Sequence, residues 1–361
     1  MKNTLLALAC VAALGLGSCS KSNNSGNPTN NGGPVDETQV IKDFVTVVAN
    51  PNYVAINANA AILKASITTL IATPNATNLA AAQKAWRDTR APWESCEGFL
   101  FGPVEDNDYD PTMDSWPLNK TDVDALLASG NSLTVSDIDK LEDFSKGFHA
   151  IEYIIFGVGG TKKATDITSR EKLYLASVTE SLYNTTTALR NSWDPAGGNF
   201  SAEVTTAGSG SKTYATRKAF FTALVTSMEG ICDEVSSGKM EEPYAAKDST
   251  LDESSFSHNS TTDFKNNITG VLNVYLCKYN GATGSTSLSA LVASKNIALD
   301  TKIKTQINAA IASFSLITQT YEKAIYTQRD QVKATQDAIA ALQATLATDL
   351  KVTFIQTYIK D

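Results

Sequence analysis

The chain has 361 residues, with 38 Asp and Glu against 30 Lys and Arg, a formal net charge of -8 and a pI near 5.0. It carries enough apolar material for one large or two medium cores and only two histidines. It has no basic patch of the kind that neutralises phosphates, so its charge excludes nucleic acid as a partner.

Met1-Lys2-Asn3 is a short basic start. Residues 4–16, TLLALACVAALGL, form an apolar run too short to span a bilayer as a stable helix. The run ends in Leu16-Gly17-Ser18-Cys19, small residues before a cysteine. That order predicts a lipoprotein signal peptide over 1–18, removed together with Cys10, and a lipid on Cys19. Residues 19–34 are rich in Ser, Asn, Gly and Pro and read as a flexible tether. Ser20 and Lys21 give no inner-membrane Asp signal. The expectation is therefore a cell-envelope lipoprotein on the outer membrane, facing the periplasm or the surface, with the lipid as its membrane attachment. Cys96, Cys232 and Cys277 are odd in number and far apart, which favours buried free thiols over a disulfide.

Beyond the tether the pattern is helical. Residues 36–49 place Val40, Ile41, Phe44, Val47 and Val48 at helix spacing. Residues 52–73 form an Ala-, Ile- and Leu-rich helix stopped by Pro74, and 75–99 restart with Asn78 as the expected N-cap. Residues 100–120, with three prolines and a cluster of Asp, read as a long ordered loop. Residues 136–156 are helical with a break near Gly147. Long amphipathic helices follow over 169–193 and 213–236, an irregular stretch over 238–259, and helices over 261–279, 287–294, 300–326 and 329–358. Strand signals are nearly absent. The fold class is therefore all-α, two related antiparallel helical bundles over 35–167 and 168–361 with a functional cleft between them. A faint internal repeat supports the two halves: WESCEGFLFG and VLNVYLCKYNG each end a helix with a cysteine and a glycine loop.

Four groups of residues carry chemistry. His149 and Glu152 stand at i and i+3, one helical turn apart, where imidazole and carboxylate can share a metal ion or form an acid–base pair. Gly147 just before them allows a backbone conformation or a close approach that a side chain would block. In WRDTRAPWESCEGFLFG, Arg90, Glu94 and Glu97 fall on one helical stripe beside Trp93, so two carboxylates could add oxygen ligands. The run is too apolar for idle surface charges. Asp114 and Trp116 lie in the long segment. Glu241, Tyr244, Ser257, His258, Asp263 and Asn266 form the last group, with the only other histidine.

These residues resemble the imelysin-like proteins, also classed as insulin-cleaving metallopeptidases, and related iron-regulated lipoproteins. The resemblance rests on Gly147-Phe148-His149-Ala150-Ile151-Glu152, which fits that family's G-x-H-x-x-E motif. APWESCEGFLFGPV, DSWPL, EEPYAA and SHNSTTDFKNNITGVLNVY reinforce it in the family's order. It implies an all-helical protein with the histidine motif in a cleft between two halves. It also implies two activities. One is uptake of a metal, iron favoured, or of an iron-bearing ligand, working with envelope uptake partners; the other is zinc-type proteolysis. In the metal readings His149, Glu152, Glu94 and Glu97 are the ligands. In the peptidase reading Glu152 and Glu94 are the catalytic candidates, yet a zinc hydrolase needs about three ligands, an open position and a base, and no H-E-x-x-H is present. One imidazole among carboxylates suits iron better than zinc. A third reading has His149 and Glu152 recognise a small organic ligand without metal. On each reading Arg90, Asp114, His258 and Asp263 line the cleft.

Overall fold

The computed structural model describes residues 34–361, which form one compact unit. The predicted signal peptide, Cys10, Cys19 and all of the tether but Pro34 lie outside the described residues. The described chain is all-α. The exception is one two-residue hairpin, β1 (Lys278–Tyr279) paired antiparallel with β2 (Ala282–Thr283).

Helix α1 (Glu37–Asp43) runs through a π-helical turn, Phe44–Ala49, into α2 (Asn50–Ala72). Helix α3 (Ala76–Cys96) follows. Its cap is Asn75 rather than Asn78: the Asn75 side chain accepts from the Asn78 N–H at 2.9 Å, the usual reach from a cap to the third helical residue. Pro92 sits inside α3 without ending it. Proline cannot donate to the carbonyl four residues back, and here the Asn59 side chain donates to that carbonyl, on Asp88, at 2.6 Å.

Residues 100–120 are not a plain loop. They contain α4 (Pro103–Asp106) and α5 (Tyr109–Asp114); Pro103 and Pro111 lie in first turns, where no N–H is needed, and Pro117 lies in the bend after α5. Next come α6 (Lys120–Ala128), α7 (Val135–Ile138), α8 (Gly147–Phe156), α9 (Ser169–Trp193) and α10 (Phe200–Thr205), then α11 (Arg217–Asp233). The irregular stretch expected over 238–259 holds a short helix, α12 (Glu241–Ala246), preceded by a π-helical turn, Glu234–Lys239. Then follow α13 (Ser260–Leu276) and α14 (Leu288–Lys295). The helix expected over 300–326 is two: α15 (Ile297–Ser313) and α16 (Tyr321–Thr327). The Gln328 side chain accepts from the Thr318 and Gln319 N–H groups in the corner between them. Finally α17 (Arg329–Thr345) continues through a π-helical stretch, Leu346–Ile355, to α18 (Gln356–Tyr358).

Helix α2 packs on α3 and α9, α3 crosses α13, and α11 lies against α17. Helix α9, which opens the expected second half, packs on α2 and α8. Glu37–Ala72 and Arg329–Tyr358 are long and apolar enough by composition to cross a membrane. Both turn an apolar stripe into the common core, through Ile56, Leu63 and Leu70 in one and Val332, Ile339 and Leu346 in the other. Cys96, Cys232 and Cys277 are buried free thiols, as their number and spacing predict.

Candidate metal centre

The centre forms where α3, the end of α5, the start of α8, the π-turn lysine and the segment 252–263 converge. Two close approaches assemble it. Gly147 has φ +73°, and a Cβ there would stand 2.2 Å from the Met113 carbonyl oxygen. Only glycine lets α8 start directly against the end of α5, which brings His149 to Asp114. A Cβ on Gly270 would likewise lie 2.3 Å from the Ser95 carbonyl oxygen, so α13 approaches α3 closely enough for Asn267 to reach Glu94. The Trp86 indole donates to the Phe148 carbonyl at 3.0 Å and fixes the first turn of α8.

Arg90 and Lys239 are the hubs. Arg90 is fully buried and pairs with Glu94 and Asp114, with Glu253 at 3.0 Å and with Asp263 at 3.5 Å. Lys239 Nζ lies 3.0 Å from Glu97, 3.1 Å from Glu253 and 3.6 Å from Glu94, with the Trp116 ring 4.9 Å away. The Asn267 amide donates to Glu94 at 2.8 Å and to Glu97 at 2.6 Å. The Trp93 indole donates to Asp114 at 2.6 Å, and Ser254 and Asn259 each donate to Asp263 at 2.7 Å.

His149 Nδ1 meets Glu152 Oε2 at 2.9 Å, and the other Glu152 oxygen accepts from the Ser257 N–H at 2.7 Å. Both Glu152 oxygens are thus engaged, and its position orients the imidazole. His149 Nε2 is left 3.1 Å from Asp114 Oδ1, off the line of a hydrogen bond and otherwise without a partner.

Burial and charge set the protonation states. Burial pushes Glu94 and Glu97 well above the usual carboxylate range; Glu253 and Asp263 add to the rise at Glu94, and Glu94 adds to it at Glu97. Burial also works against ionised Asp114, but the Arg90 guanidinium and His149 outweigh it and hold Asp114 below the usual range. For His149, burial disfavours the imidazolium, yet contact with Asp114 and Glu152 prevails and raises it to about 10. Asp263 is raised to about 6 by burial, against Arg90.

The donors fit a metal ion. Asp114, His149 and Glu253 each offer one atom within 4.8 Å of the other two, as do Glu94, Glu97 and Asp114. His149 Nε2 and Glu253 Oε2 are buried without hydrogen-bond partners, and Glu94 Oε1 faces the Arg90 guanidinium. One imidazole nitrogen among carboxylate oxygens suits iron or another hard cation better than a thiolate- or imidazole-rich zinc site.

Residues 49–348, most of the chain, match the family model described as Imelysin. The chain belongs to the imelysin family. A relative from Synechococcus elongatus, "Iron-regulated protein A", is 30% identical over 312 residues, 85% of this chain and 84% of that protein. A crystal structure of a protein described as an iron-regulated protein A precursor, from Parabacteroides distasonis, superposes with a TM-score of 0.80 at 27% identity. It covers 90% of this chain and 97% of the other. An imelysin-like protein from Psychrobacter arcticum, at 13% identity and TM-score 0.71 over 89% of this chain and 98% of that one, shares the fold.

In this imelysin-family chain the motif residues Gly147, His149 and Glu152 converge with Arg90, Trp93, Glu94, Glu97, Asp114, Ser257 and Asp263, and Trp116 lies against Lys239. Four expected cleft residues do not join them. His258 is exposed and pairs with Glu322 at 2.9 Å. Glu241 accepts from Gln336 at 2.8 Å, and Tyr244 stacks under the Arg329 guanidinium at 3.6 Å. Asn266 lines a separate surface groove with Asn59 and Asp88. Its neighbour Asn267 is the residue in the centre, and helix period could have found it: Asp263 and Asn267, at i and i+4, share the buried face of α13. Lys239 and Glu253 were missed altogether. Lys239 depends on a π-helical turn, and Glu253 lies in a non-periodic segment, so neither carries a sequence signal.

Proposed function

We propose that this protein binds a metal cation, iron in preference, in the cluster around Asp114, His149 and Glu253, and serves metal uptake as a lipid-anchored protein of the cell envelope. The carrying observation is the charge imbalance. Six buried carboxyls (Glu94, Glu97, Asp114, Glu152, Glu253 and Asp263) face two permanent cations, Arg90 and Lys239, and one imidazole. Buried charge without compensation is costly. A cluster so arranged either holds protons or takes up a cation, and the raised Glu94 and Glu97 are the groups a cation would replace protons on.

In this reading Asp114, His149 through Nε2, and Glu253 hold the ion, with Glu94 and Glu97 adjacent. Glu152 orients the imidazole, and Arg90 keeps Asp114 ionised. The bound ion would supply charge neutralisation to the cluster. The name of the Synechococcus relative supports an iron-related role, and so does the oxygen-rich donor set. The zinc-peptidase alternative needs a general base beside the ion. Both oxygens of Glu152 are already engaged, and Glu94 pairs with Arg90, so neither catalytic candidate is free for that task.

The test is calorimetric titration of Pro34–Asp361 with ferrous, ferric and zinc ions, beside His149→Ala, Asp114→Asn and Glu253→Gln. Binding that prefers iron and is lost in all three variants is expected. Wild-type protein that binds none of these ions would refute the metal reading and favour a metal-free ligand site. Zinc preference with chelator-sensitive peptide cleavage would favour the peptidase.

A further inference from the structure

A cavity of about 1080 Å³ opens beside the centre, between α11 and the segment carrying α4 and α5, and Glu97 lies in its wall. Its charge is one-sided. Glu97, Glu105, Asp108, Asp110 and Glu234 face it, against Lys218 as the single cation, and Lys218 is itself paired with Asp361 at 3.1 Å. Half-buried Asp110 has no ion pair or side-chain hydrogen bond among the described residues. Burial and the charges of Asp114 and Glu234 raise it to about 7, against the pull of Lys239. Glu234 reaches a cation, Lys239, only at 3.7 Å.

Size excludes a bare ion as the natural occupant. At roughly 30 Å³ per water, a hexahydrated metal fills about 200 Å³, whereas cavities of about 300–1,000 Å³ hold organic molecules. Leu100, Phe101, Val104 and Ile231 give the wall an apolar part, beside the uncharged polar Thr222, Thr226 and Ser227. The field repels carboxylate- or catecholate-rich molecules and attracts positive ones.

We propose that this cavity binds an organic cation, an ammonium- or guanidinium-bearing molecule with an apolar body. Its charged head lies toward Asp110, Glu234 and Glu97, and its body lies along Leu100, Phe101, Val104 and Ile231. The proposal does not rest on the metal reading, because Asp110 and Glu234 are outside the Asp114, His149 and Glu253 donor set.

Three probes that share a fluorophore and differ in head charge test it: dansylcadaverine, dansylamide and dansylglycine, positive, neutral and negative at pH 7. Binding to Pro34–Asp361 is read from the dansyl emission shift. Dansylcadaverine should bind about tenfold more tightly than dansylamide, and dansylglycine more weakly than either. The double variant Asp110→Asn, Glu234→Gln should bring the cation and neutral probes within about twofold of each other. Ala223→Trp, which fills the wall, should weaken both. Equal binding of all three probes, preference for the anion, no binding of any probe, or a cation preference that survives the double variant would each overturn the proposal. The His149→Ala variant should keep the cation preference, so a failed metal centre and a failed cavity give different results.

Discussion

Replacing Gly147 by Ala should break the centre at its assembly point. The residue has φ +73°, and the added Cβ would stand 2.2 Å from the Met113 oxygen and 2.7 Å from the Met113 carbonyl carbon. These are backbone atoms, so no side chain can rotate out of the way. The left-handed conformation costs a non-glycine residue about 1–2 kcal/mol. Forcing α8 away from α5 adds about 1–3 kcal/mol, as overpacking does elsewhere. The total, about 2–5 kcal/mol, should lower the thermal midpoint by about 3–7 °C in a body of this size. A Cβ on Gly130 meets nothing within 4 Å, so Gly130→Ala should stay within about 0.5 kcal/mol of wild type. The same displacement moves Asp114 from His149 and should weaken metal binding by about 10–100-fold. Differential scanning calorimetry and metal titration read both effects. A Gly147→Ala protein with the wild-type midpoint and the wild-type affinity would refute the claim that this contact assembles the site.

Glu152→Gln keeps the side-chain volume but removes the charge beside His149 Nδ1; the imidazole should titrate lower by NMR and metal affinity should fall about 10–100-fold. Lys239→Met strips the ammonium from between Glu97, Glu253 and Glu94 and should cost about 3–5 kcal/mol by denaturant titration, while added divalent cation recovers more stability than it does in wild type; an unchanged denaturation midpoint would sink this reading. In the absence of cations, stability should fall as pH rises. Asp263 and Asp110 hold protons more tightly when folded, up to about 6 and about 7, so their contribution declines across the range from about 4 to those values. His149, raised to about 10, stabilises fully below about 6.5 and loses that contribution as pH rises through 10. Metal uptake displaces the protons on His149, Glu94 and Glu97, so affinity should rise with pH, with proton release in calorimetry. In Pro34–Asp361 the thiols of Cys96, Cys232 and Cys277, all buried and free, should be inert to a thiol reagent when folded and all react in denaturant.

Much of this arrangement was legible because helix period is a strong signal. Arg90 and Glu94 share a stripe of α3 at a spacing any helix enforces, with Glu97 one turn on in the 3-10 turn that follows, and the same spacing holds for His149 and Glu152 on α8. Gly147 was legible as a special residue, but not its partner: Met113 lies in a segment whose prolines read as loop although Pro103 and Pro111 sit in the first turns of helices. The α15–α16 break was hidden because its corner is satisfied by Gln328, a side chain from beyond it. The centre's completion was hidden for a deeper reason. Lys239 and Glu253 are ordinary charged residues locally, and only tertiary packing buries them beside α3.

The distribution of those residues bears on why the cluster exists. Arg90, Asp114, His149, Lys239, Glu253 and Asp263 come from separate segments spanning much of the chain, and each is buried. Buried ion networks are frequently less stable than apolar packing of the same volume, and this one leaves His149 Nε2 and Glu253 Oε2 without hydrogen-bond partners. A core selected for stability alone would hold leucine and phenylalanine there, as the surrounding Trp86, Phe148 and Ile151 do. The unpaired atoms lie on the residues whose donor groups approach within 4.8 Å of Asp114, while Glu152, whose task is orientation, is fully bonded. Unpartnered atoms on His149 and Glu253 beside Asp114, with Glu152 holding the imidazole in place, are what a binding centre requires.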